Sequence, residues 1–274
     1  MGAFSLFVGI DYSGAETPTS RLPGLRAYAA RPGETPEAVT TPAAVQSLGK
    51  THKQSLPRYW TRAEIAHWII ALVKQGEHAL IGIDHGFSFP DSYFKRYGLE
   101  SWDSFLADFC RHWPTDHDHV YVDFVRHRVG SVWKPGMETR VGNSNEFRLS
   151  ERWTSSARSV FQFDVTGQVA KSTHAGIPWL ARIRAECGNA VHFWPFDGWA
   201  PPAGKAVIAE VYPSIFRKRY SAEDRGADAQ DAYAVARWLA ETSVSGHLER
   251  YFEPPLTAAE RELVGREGWI LGVT

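Results

Sequence analysis

Apolar positions along the chain follow two periods. Residues 4–11 (Phe-Ser-Leu-Phe-Val-Gly-Ile-Asp) and 79–84 (Ala-Leu-Ile-Gly-Ile-Asp) are short, almost unbroken apolar runs that end on an acid, the pattern of strands buried on both faces. A third run, Ala206–Val211, carries Glu210 near its end and is closed by Pro213. Elsewhere the apolar residues recur at helical intervals. Thr61-Arg-Ala-Glu64 has capping-box spacing, and Ile65, Trp68, Ile69 and Leu72 follow up to Gly76, which predicts a helix. The same reading predicts helices over Ser101–Trp113, Ile177–Cys187 and Asp228–Thr242. Thr257-Ala-Ala-Glu260 is a second capping-box match before a closing Trp269-Ile-Leu-Gly-Val segment. Leu25–Arg31 and Ala38–Ala44, split by Arg-Pro-Gly-Glu-Thr-Pro, read as a hairpin, and Val120–Val125 as another strand. Strand, hairpin, helix, strand, helix, strand, helix is an α/β order, with a central sheet that is largely parallel and flanked by helices.

From Arg126 to Arg158 the periodicity fades and Gly, Ser, Asn, Arg and Trp accumulate. We read about 113–160 as a long insertion within a single domain covering 1–274. Its tilt is basic: Arg126, Arg128, Lys134, Arg140, Arg148, Arg152 and Arg158 face Asp123, Glu138, Glu146 and Glu151.

Composition narrows the partners. The 30 Lys and Arg against 31 Asp and Glu give a net charge of -1, so no global field draws the chain to a polyanion and any such site is a local patch. Two solitary cysteines, Cys110 and Cys187, exclude a cysteine-based zinc site and suit a reducing compartment. The N-terminal run lacks the basic stretch and small-residue cleavage site of a signal peptide. No apolar run approaches the ~18 residues of a membrane span. The expectation is a soluble, cytoplasmic protein with no membrane partner.

The chemistry concentrates in the acids. Side chains alternate across a strand, so Gly9 and Asp11 share one face of the first strand, and Gly82 and Asp84 one face of the second. Each strand thereby delivers a carboxylate at its C-terminal end, with a bare position before it that leaves room for a ligand or metal. In open parallel sheets ligands gather at these ends. On the helix, Ala232, Val235, Ala236, Leu239 and Ala240 form an apolar face, which Asp228 and Asp231 extend towards the helix start. Turn initiation for the strand-end acids, and the helix dipole for the pair, are the competing structural explanations. Carboxylates within ~4 Å of one another repel by roughly 1 kcal/mol per pair in water and ~4 kcal/mol at an effective dielectric of 20. A hard cation relieves this, and oxygen-only ligands favour Mg²⁺ or Mn²⁺.

Gly9-Ile-Asp11, Gly82-Ile-Asp84, Glu210-Val-Tyr-Pro213 and Asp228-Ala-Gln-Asp231-Ala resemble the motifs of an uncharacterised bacterial and archaeal family of ribonuclease H-like nucleases, grouped with ribonuclease H and the RuvC-type resolvases. The resemblance spans nearly the whole chain, although only these blocks are specific. It implies a ribonuclease H-like fold and metal-dependent hydrolysis of nucleic acid by a two-metal mechanism. It also implies that Asp11 is the central first-strand carboxylate, Asp84 the fourth-strand acid, and Asp228 and Asp231 the acid pair on the last helix.

Further candidates stand beside the acids. Glu210 is an extra ligand or general base, or else the partner of an arginine. Lys171 and His174, in a polar loop before the Ile177 helix, are candidates for phosphate contact or proton transfer. Arg140, Arg148 and Arg152 are candidates to grip a phosphate backbone. His112–His119 is cluster-like in composition only, since consecutive residues cannot all face one ion. Two other functions fit parts of the pattern. One is phosphoryl transfer of the sugar-kinase and actin-like kind, whose first phosphate loop Gly9–Thr17 mimics, although Asp84-His-Gly-Phe is no Gly-rich turn. The other is a catalytically silent nucleic-acid- or protein-binding module.

Overall fold

Alternation along β1 (Leu6–Tyr12) and β4 (Ala79–Asp84) sorts the central side chains onto two faces. The computed structural model describes residues 4–42, 58–129, 140–154, 156–165 and 169–274. Seven strands form one mixed sheet in the order β3-β2-β1-β4-β6-β5, with β7 (Ile270–Leu271) paired to β6 (Ala206–Val211). β2 (Leu25–Ala30) runs antiparallel to β1, and β3 (Glu37–Ala38) is a short edge strand beside it. β1, β4, β6, β5 (Val191–Trp194) and β7 are parallel.

Val8, Ile10, Ile81, Ile83 and Ile208 enter one core with α1 (Arg62–Lys74), α3 (Trp102–His112) and α6 (Ala170–Cys187). Phe7, Leu80, Val207, Ala209 and Val211 enter the other with α7 (Ala227–Val244), α8 (Leu248–Phe252) and α9 (Ala258–Glu267). The capping boxes at Thr61 and Thr257 both form, each Oγ accepting the N–H three residues on.

The glycines at 9 and 82 leave no vacancy for a ligand, contrary to the sequence expectation, because α7 fills it. A Cβ on Gly9 would lie 2.1 Å from the Ala232 carbonyl oxygen and 2.6 Å from Ala236 N, and one on Gly82 2.7 Å from Val235 Cγ1. The bare positions let a helix backbone press onto the strands. Asp231 lies one turn, about 5.4 Å, before Val235, and Asp11 lies two strand residues, about 6.6 Å, beyond Gly9. The two elements advance almost in step, so the helix acids arrive over the strand-end acids.

Several local expectations change. Val120–Val125 is not a strand: α4 (Val122–His127) is a helix, because Val122 and Val125, three apart, bury together and the run has no sheet partner. The Ile177 helix begins at Ala170, with Gly176 and Pro178 inside it. Gly176 is required because the His85 ring packs onto it, 2.5 Å from where a Cβ would be. α2 (Asp91–Tyr97) and β5 carry too few residues to show a period. The second arm of the hairpin is a strand only over Glu37–Ala38, and residues 43 and 44 lie outside the described residues, as do Lys134 and Glu138 of the insertion. The described parts of the insertion contribute Trp113, Val120, Val122, Val125 and Val160 to the first core, and Leu149 of α5 (Leu149–Trp153) to the second. Both cysteines are free, and no described helix is long and apolar enough to cross a membrane.

If the seating of α7 on bare backbone organises the sheet, Gly9→Ala overpacks it and costs about 3 kcal/mol. The urea midpoint should fall at unchanged slope; a midpoint like that of the wild type would show that the helix does not press on the strand.

Candidate functional site

Three elements meet at the carboxyl edge of the sheet. Parallel pairing puts Asp11 level with Asp84, and α7 brings Asp231 above them. One carboxylate oxygen from each of Asp11, Asp84 and Asp231 lies within 4.8 Å of the others. They line a pocket of about 410 Å³ with Ser13, His85, Arg158, Arg217 and Asp228 among its walls. Asp228 borders this group but is not among the three mutually close acids.

The acids are poorly compensated. The Ser13 N–H donates to Asp11 Oδ1 at 2.9 Å, yet burial, reinforced by the neighbouring carboxylates of Asp228 and Asp231, pushes the Asp11 carboxyl up to about 7. Burial, with Asp11, Asp231 and Glu210 nearby, holds Asp84 well above the usual carboxylate range. No hydrogen-bond donor reaches Asp84 among the described residues. Asp231 is also raised, chiefly by burial, although Arg217 Nη1 pairs with its Oδ2 at 2.9 Å. The Arg217 side chain is 42% exposed and pairs with only this one acid of the three.

An all-oxygen set spanning under 5 Å suits a hard cation, whose bonds to oxygen are about 2.0–2.6 Å. Asp11, Asp84 and Asp231 are the residues that fit one. His85 follows Asp84, but its Nδ1 pairs with the Gly86 carbonyl and burial lowers its pKa to about 4. It borders the pocket as a neutral ring.

Glu210 takes the second of its two sequence readings. Strand alternation turns it to the face opposite Asp84, where Arg148 Nη1 and Nη2 donate to its two oxygens at 2.7 and 2.6 Å and the Phe87 N–H donates to Oε2 at 2.9 Å. Arg148 is therefore not a hand for phosphate. It is 1% exposed, and its Nε also donates to Glu151 at 2.9 Å. Beside it, Glu267 accepts the N–H groups of Asp91 and Leu149 at 2.7 and 2.6 Å. This network clamps the insertion to the loop that follows Asp84.

The other candidates are held elsewhere. His174 is inside α6 rather than a polar loop, enclosed by Phe89, Phe109, Trp113 and Phe163. Burial pushes its pKa down to about 3, which ends its candidacy as a proton carrier. Lys171, also on α6, pairs with Asp123 at 2.6 Å. Arg140 pairs with Asp108 at 2.7 Å and lies over the Tyr97 ring, and Arg152 donates to the Phe147 carbonyl. None of these four lines the acid pocket. Three arginines line it: Arg148, committed to Glu210 and Glu151, and Arg158 and Arg217, which carry no distinguishing motif. Their only sequence signal is the basic tilt around Arg158 and the Arg217-Lys-Arg219 run. Of the His112–His119 stretch, His117, Asp118 and His119 are exposed, as expected of a solvated loop, whereas His112 is buried at the end of α3 beside Asp108.

Comparison of the chain with protein-family models, curated proteins and solved structures finds no match.

Two outcomes follow. A carboxyl with a proton affinity raised from 3.8 to about 7 on folding makes the folded protein hold more protons than the unfolded chain between about pH 4 and 7, so its contribution to stability is lost as pH rises through that window. In EDTA, Asp11→Asn should therefore gain thermal stability relative to wild type from the acid to the neutral end; a difference independent of pH would contradict the crowding. Arg148→Ala strands buried carboxylates and should destabilise the protein by about 3–5 kcal/mol. Chemical denaturation reads this, and a change within error would remove the clamp.

Proposed function

We propose that this chain is a divalent-metal-dependent phosphodiesterase that hydrolyses nucleic acid on a ribonuclease H-like fold. The observation that carries the reading is the convergence of Asp11, Asp84 and Asp231 within 4.8 Å, with proton affinities raised and little positive charge to offset them. The elements that supply the acids are those the resemblance implies: the first strand, the fourth strand, and a helix packed on both, although two further helices follow α7. The mixed sheet with an antiparallel second strand supports the fold reading.

Bound at these acids, Mg²⁺ or Mn²⁺ would supply activation of water and stabilisation of the leaving oxygen in phosphodiester hydrolysis by a two-metal mechanism. The chain's own groups do the rest. Asp11, Asp84 and Asp231 would hold the ion, and Ser13 fixes the Asp11 carboxylate through its backbone N–H. Asp228, on the pocket wall, is placed to assist. Arg158 and Arg217 face the same pocket and offer guanidinium donors to the non-bridging oxygens of a phosphate. Glu210 is committed to Arg148 and serves as a support for the loop after Asp84, outside the ligand set.

The test is cleavage of labelled DNA and RNA, single- and double-stranded, by purified protein with Mn²⁺. At least one substrate should be cut. Asp11→Asn should slow that cut by more than about a hundredfold, beyond the 10–100-fold typical of residues that merely support a metal ligand, at unchanged circular dichroism. Cleavage that survives the substitution, or that ignores chelation, rules the assignment out.

A further inference from the structure

Asp228 belongs to two concavities. It borders the acid pocket, and it also borders a groove of about 640 Å³ that runs along β2 and past the first turn of α7, with Arg26, Tyr28, Arg58 and Arg225 on its walls. The groove and the acid pocket share Asp228 as a wall, and neither Arg158 nor Arg217 lines the groove.

Its charges are arranged unusually. Arg26 is the cross-strand partner of Asp11, and directly opposed residues of an antiparallel pair emerge on the same face. An ion pair with Asp11 would be the simple outcome. The Arg26 guanidinium instead lies over the Tyr59 ring, 4.7 Å from its centroid, and Arg58 lies against the same ring at 5.7 Å. Neither is within ion-pair range of a carboxylate among the described residues. Tyr59 thus holds two positive charges beside a cluster of negative ones without letting them neutralise it. Arg225 is engaged already, over the Tyr233 ring at 3.7 Å and paired with Glu223 at 3.1 Å, and Asp224 is the other acid on the groove wall. Among the described residues of the groove wall, the cations available to a ligand are Arg26 and Arg58.

A ligand that spans both concavities needs one anionic group at the acid site, where a cation would bridge it, and further anionic groups at a fixed spacing along the groove. A nucleic-acid strand has this form. The half-buried ring of Tyr28 on the groove wall, edge-on to Tyr233, adds the aromatic surface that single-strand sites combine with a basic track. We propose that this groove is a phosphate-binding subsite for a single nucleic-acid strand, with Arg26 and Arg58 holding backbone phosphates next to the one engaged at the acid pocket. The inference rests on the phosphodiesterase reading for its ligand class, but it concerns binding alone.

The experiment is fluorescence anisotropy of a short labelled oligo(dT) in EDTA across a salt series, so that neither metal nor turnover enters. Failure of the cleavage assay then leaves this result interpretable. Arg26→Ala/Arg58→Ala should bind about tenfold or more weakly, and its log–log salt slope should be shallower by about 1.4, two contacts at about 0.7 each for a single strand. Arg26→Lys/Arg58→Lys should recover a large part of the affinity, which a folding defect would not allow. Arg250→Ala, on α8 beyond the C-terminal end of α7, should bind as wild type does. Equal affinity and slope in the double-alanine variant overturn the subsite. An equal loss for duplex and single strand overturns its single-strand character.

Discussion

The seating of α7 on bare backbone at Gly9 and Gly82 is the constraint on which the rest of the molecule depends. A side chain at either position would collide with the helix, so the strands and helix approach as closely as their backbones permit. That contact fixes the helix in translation as well as in rotation. Its first turn then projects past the strand ends, and Asp231 has nowhere to go except above Asp11 and Asp84. The acid site is a consequence of close packing one turn and two residues away. Its geometry is as rigid as the core beneath it, which is what a metal or phosphate site requires of its support.

Two groups of carboxylates at the same edge of the sheet show what compensation looks like and what its lack implies. On one face Arg148 satisfies Glu210 and Glu151 with hydrogen bonds below 3 Å, and buried charges persist in this way when each has a partner. On the other face Asp11, Asp84 and Asp231 share Arg217, a half-exposed side chain that reaches only Asp231. The fold supplies a wholly buried guanidinium a short distance away and none at the triad. Desolvation then drives the triad towards protonation, which under the proposed function a divalent cation would reverse at neutral pH.

The arginines divide along the same line. Arg148 is sequestered as structure, Arg140 is tied to Asp108, and Arg26 and Arg58 are parked on Tyr59. Aromatic faces hold cations without cancelling them, since a ring offers a quadrupole and no net charge. Basic and acidic groups therefore coexist around the carboxyl edge, although Asp11 and Arg26 are neighbours across β1 and β2.

The sequence by itself determined the elements with a strong period and the acids attached to them. Periods of 2 and 3.6 encode which residues share a face, so β1, β4, β6, α1, α3 and α7 were legible, along with Asp11, Asp84 and Asp231 as groups directed to one place; Asp228, expected with them, only borders that place. Short elements such as β5 and α2 hold too few residues for a period, and Val120–Val125 fits either one. Only the tertiary structure decided the partners. Arg148 meets Glu210 across 62 positions of chain, and His174 disappears among aromatic rings contributed by three separate stretches. Nothing local distinguishes Arg148 from Arg158, or His174 from a surface histidine, because an ionic or polar role depends on which distant group lies within about 3 Å. That distance is set when the layers close, after every local preference has already been expressed.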